Sequence, residues 1–198
     1  MNQFCERFGL LSEQDAQVLE ATLQQLTLQQ VAPRKIKFLE IGVYQGQTGL
    51  GIKKWCDRMG VALEWWGIDS GRDIDPTPPF EGANVRKGKS EQIYPQIPND
   101  FHAILIDGCH CRNHIILDTL NYSPKVLCGG FLLFHDTSPS AQGKDYQSDG
   151  VDSPEFYIST LEAFKMINWP HRPGWELFME RFDESLPFGG MRSYRRLV

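Results

Sequence analysis

Leu39-Glu40-Ile41-Gly42-Val43-Tyr44-Gln45-Gly46-Gln47-Thr48 is the stretch on which the reading of this chain turns. The apolar run over 36–41 predicts a buried strand. The glycine-bearing turn that follows predicts a helix through about residue 59. Glycine lets backbone approach a ligand closely and take positive φ. The helix behind it offers unpaired N–H groups. Open α/β sheets bind ligands at this kind of strand end. The spacing is Gly42-x-x-x-Gly46, not the Gly-x-Gly-x-x-Gly of a pyrophosphate cradle. Glu40 would repel a pyrophosphate, whereas a cationic ligand would tolerate it. A tight strand-to-helix turn without a ligand is the plain alternative.

Outward from that turn, strands alternate with helices. Ser12-x-x-Asp15 reads as a capping box with Asp in place of Glu. Leu19, Leu23 and Leu26 at helical spacing extend it into a helix over 13–30. It covers the rim of the site or packs on a second subunit. Further strands are expected at 63–69, 84–87 (a short edge strand), 102–107 and 130–135, with Cys128-Gly129-Gly130 as a turn before the last. Helices are expected at 113–120 and 155–167. The segments 174–181 and 191–197 read as a closing hairpin around Pro187-Phe188-Gly189-Gly190. With no helix between them, these two are antiparallel neighbours. The expected fold is α/β: a Rossmann-like three-layer sandwich with a mostly parallel seven-stranded sheet and one antiparallel strand near the C-terminus. One domain is expected over 1–198, with a helical segment at 1–34 and the core at 35–198.

The formal net charge of −5, without a basic stripe, argues against nucleic acid as a partner. No apolar run reaches the length of a membrane span, and 1–11 lacks the apolar core of a signal peptide. The expectation is a cytoplasmic protein with no membrane partner; a homo-oligomer is left open. The five cysteines show no disulfide-framework spacing and read as reduced thiols. Cys109-His110-Cys111 with His114 only superficially imitates a zinc cluster, since paired zinc cysteines are usually further apart.

Further motifs fall at strand ends. Asp69 closes the second strand, where a carboxylate can accept hydrogen bonds from both ribose hydroxyls or can simply cap a turn. Ser90, in Gly88-Lys89-Ser90-Glu91, can cap the next helix or reach an adenine edge. Asp107-Gly108-Cys109-His110 and His135-Asp136-Thr137 end the next two strong strands. A parallel sheet brings both ends to the rim that holds Glu40. Two carboxylates and a neutral oxygen suit a hard divalent cation. A histidine there can take a hydroxyl proton near neutral pH, or can be a packed rim residue.

Together these motifs resemble the small-molecule O-methyltransferases of class I. The segment 39–46 resembles the cofactor motif of the catechol O-methyltransferase branch, and 88–95 that branch's adenine-contacting segment. The stretch 102–137 is similar to a broader bacterial and phage-type group with Asp-Gly-x-His and His-Asp motifs. The resemblance implies S-adenosyl-L-methionine as cofactor. Glu40, Gly42, Tyr44, Gly46 and Thr48 would surround its methionine part, Asp69 its ribose and Ser90 its adenine, with Asp107 also bordering it. It implies Mg2+ on Asp107, Asp136 and Thr137, although Thr137 stands where the branch has an amide. His110 stands where the branch has a lysine base, which makes His110 the first candidate for the base and His135 the second. Asp107 would orient His110 or hold the metal. The loop 138–153, with Asp145, Tyr146 and Asp149, could close over a small-molecule acceptor. The rivals are an NAD-dependent oxidoreductase of the same fold and a catalytically silent cofactor-binding protein.

Overall fold

The computed structural model describes residues 8–9, 11–28, 35–72, 75–109, 112–138, 160–182 and 189–198. The helices are α1 (Glu13–Leu28), α2 (Gln47–Met59), α3 (Ser90–Ile93), α4 (Arg112–Tyr122) and α5 (Thr160–Met166). The strands are β1 (Lys35–Ile41), β2 (Ala62–Asp69), β3 (Asn84–Lys87), β4 (Phe101–Ile106), β5 (Val126–Phe134), β6 (Trp175–Arg181) and β7 (Met191–Arg196). They form one seven-stranded sheet in the order β3-β2-β1-β4-β5-β7-β6. β7 runs antiparallel to both β5 and β6, and every other pairing is parallel. The strand order reverses at β1 and β4, which makes their carboxyl ends the topological switch point.

Alternation along the strands builds the layers. Ile36 and Phe38 of β1 join one core cluster with Leu19, Leu23 and Leu26 of α1 and Ile52 and Trp55 of α2. Leu39 and Ile41 point the other way, into a cluster with Ile93, Tyr122 of α4 and Phe164 of α5. Thus α1 and α2 cover one face and α3, α4 and α5 the other. α1 begins on the expected capping box. The Ser12 N–H and hydroxyl donate to Asp15 Oδ2 at 3.2 and 2.6 Å, and the Asp15 N–H donates to Ser12 Oγ at 3.1 Å. The Thr22 hydroxyl then donates to Val18 O and accepts from the Ser193 hydroxyl of β7, so α1 is tied to the sheet of its own chain.

One expectation is corrected. Cys128-Gly129-Gly130 is not a turn before a strand but lies inside β5. The register between β4 and β5 shifts there, from Phe101 opposite Val126 to Ala103 opposite Phe131. Gly129 takes φ 79°, and a Cβ on Gly130 would lie 2.8 Å from His102 O. The glycines permit a bulge and pairing resumes beyond it. The first part of the helix expected at 155–167, and residues 29–34, lie outside the described residues.

Candidate active site

Register sets the rim. Ile41 pairs with Ile68 and Ile106, and Ile106 with Phe134. The next residue on each strand therefore opens at one level: Gly42, Asp69, Asp107 and His135. Backbone bonds carry the ladder one step further, from Gly42 N–H to Ile68 O, Asp107 N–H to Ile41 O and His135 N–H to Ile106 O, at 2.8, 2.9 and 3.1 Å.

Gly42 is dictated by this crowding. It takes φ 91°, and a Cβ on it would lie 2.0 Å from Asp107 O. Only a hydrogen fits there. Tyr44, half exposed, also has positive φ, and its N–H donates to Asp69 Oδ2 at 2.8 Å. The Gly71 N–H donates to Asp69 Oδ1 at 2.8 Å. Asp69 is thereby aimed along the turn, and each oxygen keeps a second lone pair for a hydroxyl. Gly46, at φ 72°, caps α2 without a side chain, which leaves the first-turn N–H groups at Gln47 and Thr48 beside the turn.

Glu40 is 1 % exposed, and its Oε2 has no hydrogen-bond partner. Burial pushes its carboxyl well above the usual carboxylate range, and the Asp107 charge pushes the same way. Trp65 packs under this turn. A Cβ on Gly49 or on Gly67 would lie 2.7 or 2.4 Å from its ring, so both glycines admit the indole. A buried carboxyl with an unsatisfied oxygen is costly and calls for a cation or donor.

On the other side of Asp107 stands His135, held at both ring nitrogens. Nδ1 lies 2.8 Å from Asp107 Oδ1, and Nε2 lies 3.2 Å from Asp15 Oδ2. Asp136 Oδ1 is 3.7 Å from Nδ1. Burial opposes a charge on this imidazole, but Asp107, then Asp15 and Asp136, hold its pKa well above the usual histidine range. Carboxylates only accept, so an acidic partner at each ring nitrogen favours the charged ring, with an N–H directed at each. Asp136 takes φ 53° and accepts the Gly189 N–H at 2.7 Å. Thr137 and Ser138 N–H donate to Gly190 O and Gly189 O at 3.1 and 3.0 Å. The Gly189-Gly190 pair ahead of β7 is thus the platform for the turn after β5. Thr137 is fully buried, and its Oγ1 has no partner. One ligand atom each from Asp107, His135 and Asp136 lie within 4.8 Å of one another.

Ser90 does not cap α3. Lys89 occupies the cap position, and the Ser90 hydroxyl donates to Asp118 Oδ1 in α4 at 2.5 Å. Tyr122 OH donates to Ser90 O at 2.7 Å. Burial pushes the Asp118 carboxyl up to about 7, against the opposing Ser90 hydrogen bond. The first candidate base, His110, lies outside the described residues, as do Cys111 and the loop residues Asp145, Tyr146 and Asp149. Motif reading missed Asp15, Trp65 and Asp118. Asp118 was legible in principle, since Ile115, Asp118, Thr119 and Tyr122 all fall on the inward face of α4. No helix among the described residues is long and apolar enough to cross a membrane.

Residues 39–137, half of the chain, match the model of a family described as a methyltransferase domain. The chain belongs to that family, and it is a class I S-adenosylmethionine-dependent methyltransferase. No curated protein matches its sequence. Among solved structures it is similar to the O-methyltransferase from Bacillus cereus in complex with SAH. That match has a TM-score of 0.59 at 15% identity and covers 94% of this chain and 84% of that one. Aeropyrum pernix fibrillarin with natively bound S-adenosyl-L-methionine follows at TM-score 0.57 and 14% identity, covering 89% of this chain and 73% of that one. The MycE methyltransferase of the mycinamycin biosynthetic pathway, in complex with Mg, SAH and mycinamycin VI, matches at TM-score 0.55 and 16% identity. There 88% of this chain aligns, spanning 49% of MycE. At these identities the likeness is one of fold.

Proposed function

We propose that the chain transfers the methyl group of S-adenosylmethionine to a hydroxyl oxygen of a small molecule. The observation that carries this reading is Glu40, a buried carboxyl with an unsatisfied oxygen at the switch point, next to Asp107. A cationic amino group fits that place. The neighbouring Asp69 carboxylate fits ribose hydroxyls, and the open first turn of α2 fits the methionine carboxylate. Ser90 is our candidate for the adenine edge. Its hydroxyl hydrogen is committed to Asp118, so it would offer a lone pair to an exocyclic amino group. Transfer to oxygen on a small acceptor is supported by the B. cereus O-methyltransferase and by the MycE complex with mycinamycin VI.

The bound cofactor supplies a methyl group on a positively charged sulfur, an electrophile that needs no further activation. The protein's work is then placement and proton removal. We keep His110 as the base for the acceptor hydroxyl. His135, donating from both nitrogens, has no free lone pair and serves instead as a fixed cation between Asp107 and Asp15. The carboxylates of Asp107 and Asp136, which approach one another at the rim, suit a hard divalent ion; with Thr137 they would hold Mg2+, which would lower the pKa of a bound acceptor hydroxyl. We read 1–34 as part of the same domain, because α1 packs on the sheet. A reducing cytoplasmic setting agrees with the thiols of Cys56 and Cys128.

Calorimetric titration with S-adenosylhomocysteine, with and without Mg2+, tests the cofactor. Release of S-adenosylhomocysteine from S-adenosylmethionine across a panel of phenols, catechols and free sugars tests the acceptor. Binding that Asp69→Ala abolishes, with turnover on a panel member that His110→Ala abolishes, is the expected result. Absence of binding overturns the cofactor site. Binding without turnover on any hydroxyl overturns O-methylation and leaves N- or C-methylation or a silent binding protein.

A further inference from the structure

The segment ahead of α1 lies against both halves of the rim. Phe8 and Leu11 are buried in the core cluster shared with α2. Gly9, at φ 69°, is so close to the first residue of α2 that a Cβ on it would lie 2.4 Å from Gln47 Cβ. Six residues on, Asp15 reaches His135 on the acceptor side. Asp15 is 1 % exposed and accepts at Oδ2 from Ser12 N–H, Ser12 O–H and His135 Nε2–H. Capping alone does not account for it. A capping carboxylate normally stays in water, and burying one is costly without a cation. The partner here is His135, whose ring bridges Asp15 at Nε2 and Asp107 at Nδ1.

Resting on the methyltransferase reading above, we propose that Asp15 is a positioning residue for methyl transfer: through His135 it fixes the Asp107 carboxylate at the rim and makes α1 part of the active site. Asp107 has no covalent restraint on its side-chain torsions, and its backbone is already pressed against Gly42. A single bond from His135 would leave the imidazole free to swing about its own torsions. The second bond, from Asp15, removes that freedom. This is how an outer partner fixes the orientation of a histidine ring.

The test compares the full-length wild type with Asp15→Asn and Ser12→Ala. Ser12→Ala breaks the cap but leaves the Asp15–His135 contact, so it controls for simple destabilisation. Long-range 15N spectra of the histidine rings are recorded on the protein alone, with His135 assigned by its loss in His135→Gln. Two bound ring protons are expected for His135 in the wild type and in Ser12→Ala, and loss of the Nε2 proton in Asp15→Asn. Steady-state transfer to whichever panel acceptor turns over is expected to fall about tenfold in kcat for Asp15→Asn. KM for S-adenosylmethionine and the affinity for S-adenosylhomocysteine should stay within about twofold. An unchanged His135 spectrum in Asp15→Asn, a wild-type kcat, or an equal loss in Ser12→Ala overturns the proposal. Failure of the wild type to bind S-adenosylhomocysteine would instead refute the cofactor reading, and the spectra would still decide the Asp15–His135 link.

Discussion

Asp118→Asn should make the protein more stable at alkaline pH and remove most of a stability slope between about pH 4 and pH 7. Asp118 is 2 % exposed on the inward face of α4, and burial lifts its carboxyl from 3.8 to about 7. The sign follows from proton binding. Between these two values the folded state holds the Asp118 proton and the unfolded chain does not, so stability falls as pH rises through the window. The interval corresponds, at about 1.36 kcal/mol per pH unit, to about 4 kcal/mol carried fully below the lower value and lost above the upper one. Asparagine keeps the shape and can accept the Ser90 hydroxyl through its carbonyl, but it buries an amide NH2. That costs about 1–2 kcal/mol if it finds no acceptor. Net stabilisation of about 2–3 kcal/mol at pH 8 is therefore expected, with a change near zero or slightly negative at pH 4.5. Urea unfolding of both proteins at pH 4.5, 5.5, 6.5 and 8 reads the difference directly, because the other titrating groups cancel. Parallel stability curves for the two proteins across that range would refute the reasoning.

Gly42→Ala places a methyl group 2.0 Å from Asp107 O at φ 91°. Backbone strain alone costs about 1–3 kcal/mol, so S-adenosylhomocysteine binding should drop below calorimetric detection and the melting temperature should fall. Glu40→Gln removes a buried carboxyl while keeping its volume. The melting temperature at pH 8 should rise while affinity for S-adenosylmethionine falls by about tenfold, in opposition to each other; a parallel change in both would speak against a ligand-facing role. Ser12→Ala removes both hydroxyl bonds of the α1 capping box, and thermal unfolding should register about 1 kcal/mol of lost stability.

What the sequence disclosed depended on how local each signal was. β1, β2 and β4 were legible because each is an apolar run ended by a rim residue: Gly42, Asp69 or Asp107. The closing pair was legible because no helix separates its strands. Cys128-Gly129-Gly130 misled because glycines mark a turn and a bulge alike, and only the partner strand distinguishes them. Ser90 looked like a cap for the same reason, since its true partner, Asp118, is 28 residues away. The sequence leaves His135 open between second-choice base and packed rim residue because its two carboxylate partners, Asp107 and Asp15, lie 28 and 120 residues off. Asp15 itself was hidden by its own capping box, a local role that gives no hint of a bond to His135.

The same distribution of charge decides between the two cofactors that this fold commonly serves. Glu40, Asp69, Asp107 and Asp136 all sit at or beside the carboxyl ends of β1, β2, β4 and β5. At an effective dielectric constant of about 20, two like charges about 8 Å apart repel by about 2 kcal/mol. The carboxylates of Asp69, Asp107 and Asp136 around one crevice would therefore oppose the doubly charged pyrophosphate of a dinucleotide by several such contributions. Against the sulfonium and amino group of S-adenosylmethionine the sign reverses, and the same carboxylates attract. The His135 imidazolium offsets the charge on the acceptor side only, where it faces Asp107, Asp136 and Asp15. Glu40, on the cofactor side of Asp107, keeps a buried oxygen that no described residue satisfies, and a cationic amino group is suited to it.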